Sequence, residues 1–341
     1  MARLAVRPFV PGDIPRVAEL LGDRHHRDSA RIPAPSRDLQ DLPGATSAVA
    51  AVERDAQTSG VVAERAGRLA GFAFGQRLML APTDFASQFV PPHSISVPVQ
   101  GHAVAAGEDE AEVYLAMYAA LSREWVDEGF FVHRWAIPAG DPRTQEALVA
   151  CGFGRYMTAA VRPTALPVAG AGNPGVEIRE ATPEDLEVVL HLAEVLAEHH
   201  AVAPICWPLL PSTMPAIRAF TAAMLADTQP PTWLGFLQDR PVAMQSFLAP
   251  GFTPPIVEQE KNVYLFEGMV EPDVQLGGIG AALLGRTMAW ARDAGYERCT
   301  LHWASQNYSG GPFWLKHGFV PVEYGMERRV DERVAWARPR R

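Results

Sequence analysis

Cysteine is scarce: three in 341 residues (Cys151, Cys206, Cys299), an odd number without CxxC or other metal-ligand spacing. That argues against a disulfide framework and fits a reducing compartment, where thiols serve as small core hydrophobes. No apolar run approaches the ~18 residues that would cross a bilayer. The opening Met1-Ala2-Arg3-Leu4-Ala5-Val6-Arg7 also lacks the apolar stretch of a signal peptide. The expectation is a cytoplasmic chain with no membrane partner. Positive charge is in deficit, with 30 Lys and Arg against 39 Asp and Glu, a formal charge of −9. A nucleic-acid surface is not expected on that balance. What the chain does have is core material: 48% of residues are hydrophobic and 20% charged. Its length suits about two domains.

The chain repeats itself once. Val6-Arg7-Pro8 followed by Pro11-Gly12-Asp13-Ile14 returns as Ile178-Arg179-Glu180 followed by Pro183-Glu184-Asp185-Leu186, an offset of 172. Gly129-Phe130 and Gly152-Phe153 return as Gly295-Tyr296 and Gly318-Phe319, both at an offset of 166. Between the copies, Arg162 to Gly175 is rich in Pro, Gly and Ala and reads as a linker. The expected division is a first domain over 1–161, a linker over 162–175 and a second domain over 176–341.

The second copy shows the clearer pattern. Strands are expected at Val176–Glu180, Trp233–Leu237, Val242–Leu248, Asn262–Val270, Arg298–Ala304 and Val320–Arg328. Helices are expected at Pro183–His200, Ala216–Ala226, Gly278–Ala294 and Ser309–His317. The first helix carries the stripe Leu186, Val189, Leu190, Ala193, Leu196 and Ala197. The order β-α-α-β-β-β-α-β-α-β implies an α/β fold, a mixed sheet with helices on both faces.

One strand-to-helix junction is rich in glycine: Val270-Glu271-Pro272-Asp273-Val274-Gln275-Leu276-Gly277-Gly278-Ile279-Gly280. Glycines there let backbone N–H groups turn inward at the positive end of a helix, a cradle for a diphosphate that needs no lysine or arginine. The Gly-Lys-Ser/Thr of a Walker loop is absent, and a GxGxxG fingerprint would need glycine where Leu283 stands.

The pattern Val270-x-Pro272-x-x-Gln275-x-x-Gly278-x-Gly280 resembles the acyl-CoA loop of the GNAT superfamily of N-acetyltransferases. The element order and the ending Asn307 … Phe313-Trp314-Leu315-Lys316-His317-Gly318-Phe319 are similar too. The resemblance covers residues 176 to 330, and reaches the first half only through the repeat. It implies two tandem GNAT domains, with acetyl-CoA as co-substrate and direct acetyl transfer to a primary amine. It also implies a binding set: Met269 and Val270, with the Val270 N–H on the thioester oxygen; Gln275, Leu276, Gly277, Gly278, Ile279 and Gly280 around the diphosphate; and Asn307 on the pantetheine arm. Asn307 reads equally as the cap of the helix that follows it.

Moving back by 166 places Asp109, Glu112 and Tyr114 where Gln275, Gly278 and Gly280 stand, within the acidic run Glu108 to Glu112. Carboxylates repel a diphosphate, so the first copy is expected to be degenerate. For a base, His302 is the first candidate and Glu267 the second. Period-2 alternation sets Glu267 opposite Tyr264 and Phe266, so only one of these sets is expected to line the cleft. Trp314 stands where many relatives carry an acidic tyrosine, and indole cannot serve as an acid; the alternatives are Tyr308, Tyr324, or a thiolate that leaves unassisted. The loop Glu198 to Pro208, with His199, His200 and Trp207, reads first as a capped, solvated helix end and otherwise suits a cationic or aromatic amine. No metal is expected, since His25-His26 and His199-His200 lack further ligands at metal spacing. The preferred acceptor is a small-molecule amine; the rivals are a peptide or protein amine, and a non-catalytic acyl-CoA-binding module.

Overall fold

The structure, a computed structural model, describes residues 2–170, 172–227 and 230–337. Met1, Ala171 of the expected linker and residues 338–341 of the expected second domain lie outside the described residues. The first half runs β1 (Leu4–Pro8), α1 (Ile14–Ser29), α2 (Leu42–Glu53), β2 (Thr58–Arg65), β3 (Arg68–Met79), β4 (His93–Val97), β5 (His102–Val104), α3 (Glu110–Asp127), β6 (Val132–Pro138), α4 (Pro142–Ala150) and β7 (Gly154–Pro163). The second repeats it as β8 (Glu177–Glu180), α5 (Leu186–Ala201), α6 (Met214–Ala226), β9 (Thr232–Leu237), β10 (Arg240–Leu248), β11 (Asn262–Val270), α7 (Ile279–Asp293), β12 (Arg298–Ala304), α8 (Gly310–Lys316) and β13 (Val320–Arg329), followed by the short α9 (Val334–Ala337).

The repeat extends to single side chains. Arg7 grips Asp13 through two hydrogen bonds of 2.7 Å, and Asp13 accepts from the Val10 amide where the chain enters α1. Arg179 and Asp185 do the same at 2.7 and 2.8 Å, with Asp185 accepting from the Thr182 amide before α5. Paired, bidentate contacts of this kind fix the angle between a strand and the helix that follows it.

All strands join one continuous sheet in the order β1-β2-β3-β4-β6-β13-β7-β12-β11-β10-β9-β8, with β5 added on β3. At the centre the halves exchange strands. The last strand of the chain, β13, pairs with β6 of the first half, while β7 of the first half pairs with β12 of the second. The exchanged strands also pair with each other. Arg162, expected to open the linker, therefore lies inside β7: it is fully buried and sits opposite Cys299.

Helices cover both faces of the sheet. In the first half, α1 and α2 pack over Val62, Phe72, Phe74 and Ala103, together with Val322 from β13. On the corresponding face of the second half the buried cluster is small, formed by Val189, Leu192, Leu225, Leu234, Met244 and Met269. The predicted stripe on α5 is correspondingly half-buried: Leu190, Ala193, Leu196 and Ala197 line a large cavity instead of closing a core. Cys151 and Cys299 are buried as expected, but Cys206 is exposed, in a left-handed turn (φ 55°) that keeps it out of any core. No described helix is long and apolar enough to cross a membrane.

Candidate active site

The site begins where two strands part. β11 runs parallel to β12 only from Asn262 to Tyr264; beyond that point β11 stays with β10 as far as Val270, and a wedge opens on the β12 side. Glu271 donates its N–H to the Val242 carbonyl at 2.8 Å. Since N–H groups alternate sides along an antiparallel strand, the Val270 N–H faces the wedge. Trp314 closes the back: a Cβ on Gly268 would meet its indole at 3.1 Å, so only glycine lets the ring lie this close.

The glycine loop follows. Leu276 (φ 67°) and Gly278 (φ 79°) both take left-handed conformations, which carry the chain into α7 without a side-chain cap. Leu276 holds this strained backbone conformation with its side chain fully exposed. Gln275 Nε2 donates to the Val270 carbonyl at 3.0 Å and Asn173 Nδ2 to the Gly277 carbonyl at 2.9 Å, pinning the loop from both sides. No protein acceptor is assigned to the amides of residues 275–281 among the described residues; the first α7 amide so bonded is that of Ala282, to Gly278. Unpaired N–H groups at a helix N-terminus attract an anion, so these residues fit a diphosphate.

The equivalent place in the first half is filled by the protein itself. α3 begins at Glu110, and the Asp109 carboxylate caps it by accepting from the Glu112 amide at 3.2 Å. Glu108 and Glu112 are held by Arg65. Tyr114, at the register position of Gly280, bonds His102 Nδ1 at 2.8 Å, and His102 Nε2 reaches the Ala136 carbonyl at 2.8 Å. An imidazole thus bridges β5 to β6 where the second half keeps its wedge open. Both rings are fully buried.

Wedge and loop share one cavity of ≈ 1440 Å³. Every residue of the sequence-derived set lines it: Met269, Val270, Gln275 to Gly280, Asn307, Glu267 and His302. Asn307 acts there as a cap, its Oδ1 accepting from the amides of Ser309 (3.2 Å) and Gly310 (2.8 Å) at the start of α8. Asp141 caps α4 in the same way.

The two base candidates differ in chemistry. Glu267 is half-buried, and no hydrogen bond or ion pair is assigned to its carboxylate among the described residues; burial pushes it up to about 7. His302 is hydrogen-bonded through Nδ1 to the Tyr264 hydroxyl, and burial pulls it down to about 4, with His200 adding to the effect. Glu267 and Phe266 both line the cavity, contrary to the alternation argument. The register against β10 slips between Ser246 and Phe247, leaving Phe266 as an extra residue, and such a bulge turns two successive side chains to one face.

Sequence reasoning missed the aromatic wall. Phe85 and Phe89 come from the first half and pack on Phe220 of α6 and Phe266 of β11; Phe252 joins the group. Phe85 stacks on Phe220 with ring centres 4.4 Å apart. Neither first-half ring lies in a periodic segment, so no sequence signal pointed to them. Gln88 ties the same segment to the second half, donating to the Pro208 carbonyl at 2.6 Å.

Comparisons with known proteins agree with this geometry. Residues 193–319 match the acetyltransferase (GNAT) family. A GCN5-related N-acetyltransferase from Sphaerobacter thermophilus has a similar fold, with TM-score 0.60 and 15% identity, over 96% of this chain and 95% of its own. A glucosamine N-acetyltransferase region of a fungal multi-domain β-N-acetylglucosaminidase is similar at TM-score 0.57 and 11% identity, over 96% of this chain but 38% of that one. No curated protein matches the sequence. Residues 193–319 of the second copy therefore carry the sequence pattern of the acetyltransferase (GNAT) family, within a chain that builds the same fold twice.

Proposed function

We propose that the chain transfers an acetyl group from acetyl-CoA directly to the primary amine of a small molecule. The observation that carries this reading is a continuity: the unpaired amides of residues 275–281, the wedge beside Val270 and the Glu267 carboxylate all face one cavity. In this reading the loop amides hold the diphosphate and orient the thioester. The Val270 N–H stabilises the oxygen on which negative charge develops during attack. An alkyl ammonium has a pKa near ~10.4, and Glu267, held near neutrality by burial, accepts its proton. His302 at about 4 is a weak base and serves instead to position Tyr264. Trp314 supplies no proton to the departing thiolate, which with a thiol pKa of ~8.5 leaves as the anion.

The acceptor side favours a small molecule over a peptide. Glu194 and Glu267 are the only carboxylates among the described lining residues, and six phenylalanines line the cavity. A basic peptide would want a wide acidic groove. The test is to incubate the protein with acetyl-CoA and a panel of arylalkyl amines, following CoA thiol release and product mass. N-acetylated amine with stoichiometric free CoA is expected; no acetylated amine from any member of the panel would leave the binding-module rival standing.

A further inference from the structure

The exchanged strands leave a second hollow beside the first. β13 sets Glu323 opposite Pro138 of β6 on one side and Ala159 of β7 on the other, and Ala159 in turn faces His302 of β12. Directly paired residues point to the same face of a sheet, so Glu323 and His302 look into the same space from two strands apart, about 10 Å. Only the methyl group of Ala159 stands between them. One register further on, Ala136 faces Gly325, and a Cβ at Gly325 would strike the Tyr156 ring at 2.8 Å. Small residues thus make a floor, Tyr156 a wall and Phe252 a further wall of a hollow of ≈ 190 Å³. It meets the large cavity at residues lining both, among them His302, Tyr156 and Phe252.

Glu323 is the one carboxylate lining this hollow among the described residues, and no hydrogen bond or ion pair is assigned to it there. Two cations are near. Arg134 is bound to Glu327 at 2.9 Å and lies over the Tyr156 ring. Arg24, whose charge acts on Glu323 against the effect of burial, donates to the His102 carbonyl, while its Nε and Nη2 have no hydrogen-bond partner among the described residues. Burial pushes the Glu323 carboxyl up to about 8. An unpaired carboxyl in such a place is costly, and the cost falls when a cation arrives.

We propose that this hollow receives a second ammonium group of the acceptor, so that the substrates are small molecules with two amines, one reacting beside Glu267 and the other held by Glu323. The inference rests on the acetyl-transfer reading. The size agrees: at ~30 Å³ per water the hollow holds about six, enough for a short aminoalkyl arm. The aromatic ring of Phe252 suits an ammonium further, and the carboxylate disfavours an anionic acceptor.

The experiment compares unbranched α,ω-diamines with monoamines of the same chain length, using wild type, Glu323→Gln and Ala159→Leu. The last fills the hollow while keeping its charge. Wild type is expected to favour a diamine by about tenfold or more in kcat/KM, the factor set by ~1.4 kcal/mol. In both variants that ratio should fall towards unity, mainly through a raised KM for the diamine. An equal ratio in wild type, or a preference that survives Glu323→Gln, overturns the subsite. If no amine is acetylated at all, the acetyl-transfer reading fails separately. Calorimetry of the diamine into the same proteins then decides the subsite: binding by wild type that Glu323→Gln loses supports it, and no binding or equal binding rejects it.

Discussion

A carboxyl held at about 7 by burial changes charge within the working pH range, whereas an imidazole pulled down to about 4 stays neutral throughout it. If Glu267 is the base, kcat/KM rises as pH approaches 7 from below and levels off above it, because only the ionised carboxylate accepts a proton. Glu267→Gln should lower the rate by about 10²- to 10⁴-fold and flatten that rise; His302→Gln should keep it. A rise that persists in Glu267→Gln and vanishes in His302→Gln would reverse the assignment. The sequence made both residues legible as candidates, because strand and loop boundaries fix which positions approach the wedge. It ranked His302 first, and the order proposed here is the reverse, since it depends on burial and on the Tyr264 hydroxyl. The alternation argument failed for a local reason: one extra residue at Phe266 breaks the period of two, and nothing in the sequence marks a bulge there.

The elements themselves were largely legible. β11 and β12 fall at their expected bounds, and α7 begins one residue after the expected Gly278. The strand exchange was not, and the reason is physical. β7 and β13 occupy equivalent places in the two copies, so swapping them preserves every hydrophobic pattern while changing which copy each strand completes. The exchange shows in the cores: Met326 of β13 is buried among Val113, Tyr114 and Trp135 of the first half. Ala160 of β7 is buried with Leu283 and Leu301 of the second. Met326→Ala should therefore cost about 2–5 kcal/mol and move a single unfolding transition for the whole chain. Two calorimetric transitions, with only one displaced, would contradict that coupling.

At the scale of the molecule, the fold is used twice for different ends. The second half keeps the wedge and the loop open. The first half closes both with His102, Tyr114 and the Asp109 cap, and lends Phe85 and Phe89 to its neighbour's cavity. The loss of the first loop was legible from the acidic run Glu108 to Glu112. The loan of the aromatic wall was not, because it depends on how the exchanged strands bring the halves together. The central claim is one acetyl-CoA site per chain, in the second half. Calorimetric titration of acetyl-CoA into wild type and Gly280→Glu tests it most directly, since the variant sets a carboxylate among the loop amides. The account predicts one site per chain in wild type and none in the variant. Two sites, no site, or binding untouched by Gly280→Glu would contradict it.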